Sequence, residues 1–87
     1  MKIVLSPRAE KELKKLSKLD QIAIARKIRS LTQSQTIIQE TKLEGFKNIF
    51  RLRVGNFRIV YRKTSSEIYV ILIGHRKDIY SLLKRMF

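Results

Sequence analysis

A two-residue turn, Gly55–Asn56, separates two segments of alternating apolar and polar residues, and no other feature constrains the fold as strongly. This pattern predicts a β-hairpin, because both turn residues tolerate the positive φ that tight hairpin turns require. Alternate side chains of a strand point to opposite faces. One face of the hairpin therefore collects its apolar residues, namely Phe50, Leu52, Val54, Phe57, Ile59 and Tyr61.

The polar positions of the same two strands are mostly arginines. They are Arg51, Arg53, Arg58 and Arg62, and antiparallel pairing across a short turn gathers them on one sheet surface. A guanidinium stays charged and can fork onto a phosphate through two hydrogen bonds. One or two arginines would indicate only a solvated sheet face, whereas four with almost no acidic neighbours favour an anion site.

The N-terminal part of the chain predicts a strand followed by two helices. The strand is Lys2–Leu5, and Ser6 followed by Pro7 is a typical helix start. Asp20 is expected to cap the second helix, predicted over roughly residues 21–33. Each helix has one apolar stripe, formed by Ala9, Leu13 and Leu16 in the first and by Ile24, Ile28 and Leu31 in the second. The short break between the stripes predicts an antiparallel helical hairpin.

The remaining segments complete an α+β fold. Residues 32–42 are interpreted as a polar connector to a turn at 43–45, and residues 68–73 as a strand buried on both faces. Residues 77–87 predict a short terminal helix. The order β-α-α-β-β-β(-α) predicts a helical hairpin packed on one face of a small, mainly antiparallel four-stranded sheet. At this length we expect a single domain spanning residues 1–87.

The net charge is +13, from 20 Lys and Arg against 7 Asp and Glu, and the pI is near 10.7. Residues 45–87 hold ten basic and only two acidic residues, so the hairpin half is the more basic. Such charge indicates a polyanionic partner: nucleic acid, an acidic protein, or both. An anionic membrane fits less well, because it favours a basic amphipathic helix and much of this charge lies on predicted strands.

Several classes of protein are excluded by what the sequence lacks. It has no cysteine, no signal-peptide pattern and no apolar stretch near the roughly 20 residues of a membrane span. We therefore expect a cytoplasmic protein without disulfides or membrane association. The sequence also has no acidic cluster for a divalent metal, and we expect neither a metal nor a cofactor.

Four parts of the chain together resemble the RelE/ParE toxin superfamily, and within it the RelE branch. They are the helical hairpin, the turn at Leu43-Glu44-Gly45, residues 50–61, and the closing Gly74-His75-Arg76-Lys77-Asp78-Ile79-Tyr80. The resemblance implies a toxin that cuts mRNA in the ribosomal A site, with a small acidic RelB-like antitoxin as its partner. ParE-like relatives share the fold but poison DNA gyrase. The basic closing segment with its late tyrosine favours RelE.

The resemblance also implies roles for individual residues. Arg58 matches a position assigned to phosphate stabilisation, and Arg76 one assigned to leaving-group protonation or charge stabilisation. Tyr80 matches a tyrosine that stacks on the substrate base or assists proton transfer; the alternative is that Tyr80 is the apolar anchor of the terminal helix. RNA contacts are expected from Arg51, Arg53, Arg58, Arg62 and Lys77.

The proton acceptor is the open question. Arg51 and Arg53 match positions where some RelE members have lysines credited with acid–base work, but arginine stays protonated. Metal-free RNA cleavage needs a base for the ribose 2′-OH, a proton donor for the 5′-oxygen and positive charge at the phosphate. His75 is the only histidine, and histidine changes its charge near neutral pH. It is the candidate base, unless it merely ends a strand.

Overall fold

A computed structural model describes residues 2–33, 40–43, 45–75 and 85. These residues form β1 (Lys2–Leu5), α1 (Pro7–Lys14), α2 (Lys18–Ser30), β2 (Glu40–Lys42), β3 (Ile49–Val54), β4 (Phe57–Lys63) and β5 (Glu67–His75). The strands make one sheet in the order β1-β5-β4-β3-β2, in which β1 runs parallel to β5 and the other pairs are antiparallel. The predicted α+β fold is confirmed. The predicted helix over residues 77–87 falls almost wholly outside the described residues.

The sheet has one strand more than the four predicted. Part of the expected connector, Glu40–Lys42, pairs with β3, where Glu40 lies opposite Leu52. A partly buried network holds this strand: the Tyr61 hydroxyl donates to one Glu40 carboxylate oxygen, and Lys63 Nζ lies 3.0 Å from the other. The segment has no apolar alternation of its own, because its pairing depends on a partner strand that is distant in sequence.

Helix α1 begins as predicted, at Ser6 and Pro7. The buried Ser6 hydroxyl accepts from the Ala9 N–H at 3.0 Å and donates to the Ile71 carbonyl at 2.7 Å. A bulge in the pairing of β4 with β5 leaves Ile71 as an extra residue between Val70 and Leu72. Ser6 therefore caps the helix and also ties its first turn to the bulge.

Helix α2 begins earlier than predicted. Ser17, not Asp20, is the cap, because its hydroxyl accepts from the Asp20 N–H at 3.2 Å. Asp20 lies in the first turn of the helix, where a carboxylate interacts favourably with the positive end of the helix dipole. The helix also ends earlier than predicted, at Ser30.

The main core lies between the two helices and one face of the sheet. It contains the predicted helix residues Ala9, Ile24, Ile28 and Leu31, packed against apolar residues of β3, β4 and β5. The other face of the sheet carries a second, smaller cluster, which consists of Ile49, Val60, Ile71 and Leu72. The strand predicted to be buried on both faces thus contributes to two cores.

The hairpin turn is formed by Gly55 at φ 58°, while Asn56 keeps a negative φ. One positive φ at the first turn position is the type II′ arrangement, which favours glycine there. Both turn residues tolerate a positive φ, but only Gly55 adopts one. In the described part of the chain, no helix is long and apolar enough to cross a membrane.

Candidate nucleic-acid interface

Strands β3 and β4 hold the four predicted arginines on one face of the sheet. Arg53 lies directly opposite Arg58, Arg51 opposite Val60, and Arg62 opposite Ile49. This face is the one that lacks helices and carries the cluster around Val60 and Leu72. The alternation of the hairpin sequence therefore predicted the arginine face, a name used below for Arg51, Arg53, Arg58 and Arg62.

Each arginine is positioned by its surroundings. Arg51 and Arg58 are half-buried, whereas Arg53 and Arg62 are exposed. The Nε of Arg53 donates to the Gly55 carbonyl at 3.3 Å. The guanidinium of Arg62 lies 5.4 Å from the centre of the Tyr69 ring, within the range of a cation–π contact. The two exposed guanidiniums, those of Arg53 and Arg62, are therefore each held by a contact with a neighbouring group.

The opposed pair Arg53–Arg58 has an electrostatic cost. Side chains directly opposite each other in an antiparallel pair have Cβ atoms about 5 Å apart, and like charges there are destabilising. A phosphate between the two guanidiniums would convert this repulsion into two charge-assisted hydrogen bonds. The pair is therefore suited to binding an anion.

His75 lies on the other side of the sheet. In the register of β4 with β5, Arg58 pairs with Gly74 and Phe57 pairs with His75. The ring of His75 contacts that of Phe57 edge-on, with centroids 6.1 Å apart, and Phe57 packs against the helix-side core. The sheet thus separates the His75 ring from the arginine face.

His75 instead lines a pocket of about 360 Å³ beneath the hairpin turn. The apolar walls of this pocket come from Ala23, Ile24, Val54 and Phe57, and its polar groups come from Asp20, Asn56 and His75. Sequence reasoning missed the pocket because Asp20 and His75 are 55 residues apart, and neither shows a local pattern that links them.

Three predicted site residues, Arg76, Lys77 and Tyr80, lie outside the described residues. Within the ranges that are described, no group of three or more His, Cys, Asp or Glu side chains could hold a metal ion.

The outer side of the helical hairpin carries a surface that the sequence analysis did not single out. Leu19 is 80% exposed and Ile22 is 43% exposed. Ile22, together with Leu13 and Ala25, forms the apolar part of a groove of about 470 Å³, whose other residues include Lys18, Arg26 and Arg29. Two large apolar residues off the stripe of α2 were the available signal. We call this surface the hairpin groove.

Comparison with known families gives one match over most of the chain. Residues 3–80 match the model of the ParE toxin of the type II toxin–antitoxin system parDE. No protein with a curated description matches the chain in sequence.

Solved structures with this fold are similar over nearly the full chain. The isolated E. coli RelE toxin is 25% identical, with a TM-score of 0.73, covering 99% of this chain and 98% of that one. RelE in the RelB–RelE antitoxin–toxin complex of Methanococcus jannaschii is 26% identical, with a TM-score of 0.73, covering 88% and 94%. RelE in the E. coli RelBE complex is 23% identical, with a TM-score of 0.72, covering 85% and 94%.

Proposed function

Because this chain belongs to the RelE/ParE superfamily and is the toxin of a type II toxin–antitoxin module, we propose that it is a ribosome-dependent, metal-independent endoribonuclease. Its substrate in this proposal is mRNA in the ribosomal A site. The observation that supports it best is the arginine face, where two adjacent strands carry four arginines on one side and Arg53 lies directly opposite Arg58. We place its action in the cytoplasm, where translating ribosomes are.

The proposed reaction needs no group other than RNA and the protein. The ribose 2′-oxygen attacks the adjacent phosphorus and gives its proton to a base. The bond from phosphorus to the 5′-oxygen breaks, and that oxygen receives a proton. The products are a 2′,3′-cyclic phosphate and a free 5′-hydroxyl. Arg53 and Arg58 would stabilise the negative charge on the phosphoryl oxygens, which increases in the transition state.

The position of His75 bears on its proposed role as the base. A base must come within about 3 Å of the 2′-OH, directly or through one water, and a phosphate on the arginine face lies across the sheet from this ring. The geometry favours His75 as a substrate contact rather than the proton acceptor. Tyr80 is then the next candidate for proton transfer. In this proposal Arg76 stabilises charge at the cleaved phosphate. Arg51 and Arg62 contact the RNA backbone, and Lys77 also binds RNA.

A second candidate function follows from the family match. The matching model is that of ParE, and ParE-like toxins poison DNA gyrase. On that alternative the same basic face would contact gyrase or its DNA and cut nothing. The two functions differ in which nucleic acid is damaged in the cell.

Primer extension on mRNA from cells in which this chain is induced distinguishes the two functions. The nuclease proposal predicts discrete cuts inside translated codons and none in untranslated regions. Intact mRNA together with induction of a DNA-damage response would reject the nuclease and support the gyrase target.

We further propose that the chain is neutralised by a small acidic RelB-like antitoxin. The structures it resembles include RelB–RelE complexes, and its charge of +13 favours an acidic partner. The hairpin groove offers an apolar strip with Lys18, Arg26 and Arg29 beside it. An amphipathic acidic segment of the antitoxin fits this combination, because apolar anchors and complementary charge act together.

Replacing Ile22 with Glu tests this contact, because Ile22 lines the hairpin groove, is 43% exposed, and the change adds a charge that repels an acidic partner. Co-expression with a small acidic protein encoded beside the gene of this chain should yield a stable, salt-sensitive complex that Ile22→Glu weakens at least tenfold. Ser65→Glu, in the exposed turn between β4 and β5, adds the same charge elsewhere and should leave the complex unchanged. Equal affinity of both variants would place the antitoxin on another surface.

A further inference from the structure

The pocket beneath the hairpin turn has a composition that the proposed phosphate chemistry does not use. It lies on the helix side of the sheet, away from the arginine face. Among the described residues that line it, Asp20 supplies a carboxylate and none is Lys or Arg. No ion pair within the described residues uses the Asp20 carboxylate. A carboxylate repels phosphate and accepts hydrogen bonds only. The pocket therefore suits an uncharged ligand part that presents donors.

The other walls indicate a flat ligand. Phe57, Val54 and Ala23 supply apolar surface, and the rings of Phe57 and His75 meet edge-on at one side. The side-chain amide of Asn56 adds both a donor and acceptors. A volume of about 360 Å³ falls at the small end of ligand pockets, which span roughly 300–1,000 Å³. Unpaired nucleobases are recognised by this combination of aromatic stacking and edge hydrogen bonds.

We propose that this pocket binds an unpaired guanine base and that Asp20 determines its specificity. Guanine alone among the four RNA bases has two adjacent donors on its Watson–Crick edge, N1–H and the N2 amino group, and these match the two oxygens of a carboxylate. Adenine and cytosine place a ring acceptor beside their amino donor, and uracil flanks its one N–H with two carbonyls. Asn56 and His75 supply donors for guanine O6 and N7.

The hairpin turn connects this pocket with the arginine face. Gly55 and Phe57 line the pocket, while Arg53 bonds the Gly55 carbonyl and Arg58 directly follows Phe57. An RNA strand with a phosphate on Arg53 and Arg58 can pass around the turn and place a neighbouring base in the pocket. This inference rests on the proposed function, because it assumes that the arginine face holds RNA.

Binding of the four nucleoside monophosphates to the full-length protein tests the pocket without any cleavage step. GMP, AMP, CMP and UMP carry the same phosphate, so a difference among them reports the base alone. In titrations followed by amide chemical shifts, GMP should bind about tenfold tighter than the others, because a bidentate base contact discriminates by roughly that factor or more. The largest shifts should fall at residues 20–24 and 54–57.

Two variants and one control make the test specific. Asp20→Asn should abolish the preference for GMP. Ala23→Met, an exposed helix position that faces the pocket, should block GMP by filling the space. Glu10→Gln removes the same charge on α1 and should change nothing. Equal binding of the four nucleotides, or a GMP preference that survives Asp20→Asn, overturns the proposal.

The GMP-binding test of the pocket and the mRNA-cleavage test of the proposed nuclease can fail independently. A protein that prefers GMP through Asp20 but leaves mRNA intact supports the pocket and rejects the nuclease. A protein that cuts mRNA with no GMP preference rejects the pocket and supports the nuclease.

Discussion

Ser6 joins helix α1 directly to the sheet. Its buried hydroxyl accepts from the Ala9 N–H and donates to the Ile71 carbonyl. Ser6→Ala leaves both buried groups without this partner, and an unsatisfied buried group costs about 1–3 kcal/mol. We expect the free energy of unfolding, measured with urea, to fall by about 2 kcal/mol or more.

Ser17→Ala is the matched control, because Ser17 caps α2 in the same way but is exposed. Its loss should cost about 1 kcal/mol or less. Equal losses for the two variants would show that the contact with Ile71 contributes nothing to stability.

The side of the sheet that His75 occupies leads to a prediction about catalysis. Removing a general base lowers the rate by about 10²- to 10⁴-fold. We expect His75→Gln to cleave A-site mRNA within about threefold of wild type in single turnovers at saturating enzyme, because the ring faces away from Arg53 and Arg58. A loss of 100-fold or more with ribosome binding intact would restore His75 as the base.

At the scale of elements, the hairpin turn depends on the backbone of one residue. Gly55 has φ 58°, and a Cβ there would meet no atom within 4 Å. Gly55→Ala should therefore destabilise the protein only by the cost of a positive φ for a residue with a Cβ, which is about 1–2 kcal/mol. Asn56→Ala, at the neighbouring position with negative φ, should cost clearly less. Urea unfolding of both variants checks the difference, and equal costs would be inconsistent with the type II′ turn.

The edge strand β2 depends on the Glu40 carboxylate. Glu40→Ala leaves the fully buried Tyr61 hydroxyl without its acceptor, and we expect a loss of about 1–3 kcal/mol. Adding Tyr61→Phe to Glu40→Ala removes the hydroxyl that lacks an acceptor. The double variant should therefore lose less unfolding free energy than the two single variants lose in sum. Additive unfolding free energies for the four proteins of this cycle would contradict the network.

The elements that the sequence predicted well are those specified by neighbouring residues. Ser6 and Pro7 specify the start of α1, and the alternation around Gly55 specifies both the hairpin and the face that its arginines share. The prediction of Asp20 as the N-cap of α2 was wrong. Ser17 and Asp20 are both good capping residues, and the sequence alone does not show which of them caps the helix. Strand β2 was missed because its pairing depends on Leu52 and Tyr61, which are distant in sequence.

At the scale of the whole molecule, the two sides of the sheet differ in chemistry. One side carries the arginine face, and the other carries the helices, the pocket with Asp20 and the outer hairpin groove. The sequence could not assign His75 to a side, because the bulge at Ile71 changes the alternation of β5. In a strand that is apolar at nearly every position, the sequence does not indicate where the side chains switch from one face of the sheet to the other.

Cleavage of mRNA on purified, programmed ribosomes tests most directly whether the arginine face is the catalytic surface. Arg53→Gln removes an exposed charge and should change the free energy of unfolding by no more than about 0.5 kcal/mol, but it should slow cleavage about 100-fold, as expected for loss of a donor to a transition-state oxyanion. Arg8→Gln on α1 makes the same charge change away from this face and should cleave like wild type. Absence of any cut by the wild-type protein, or equal rates for wild type and Arg53→Gln, would contradict the account.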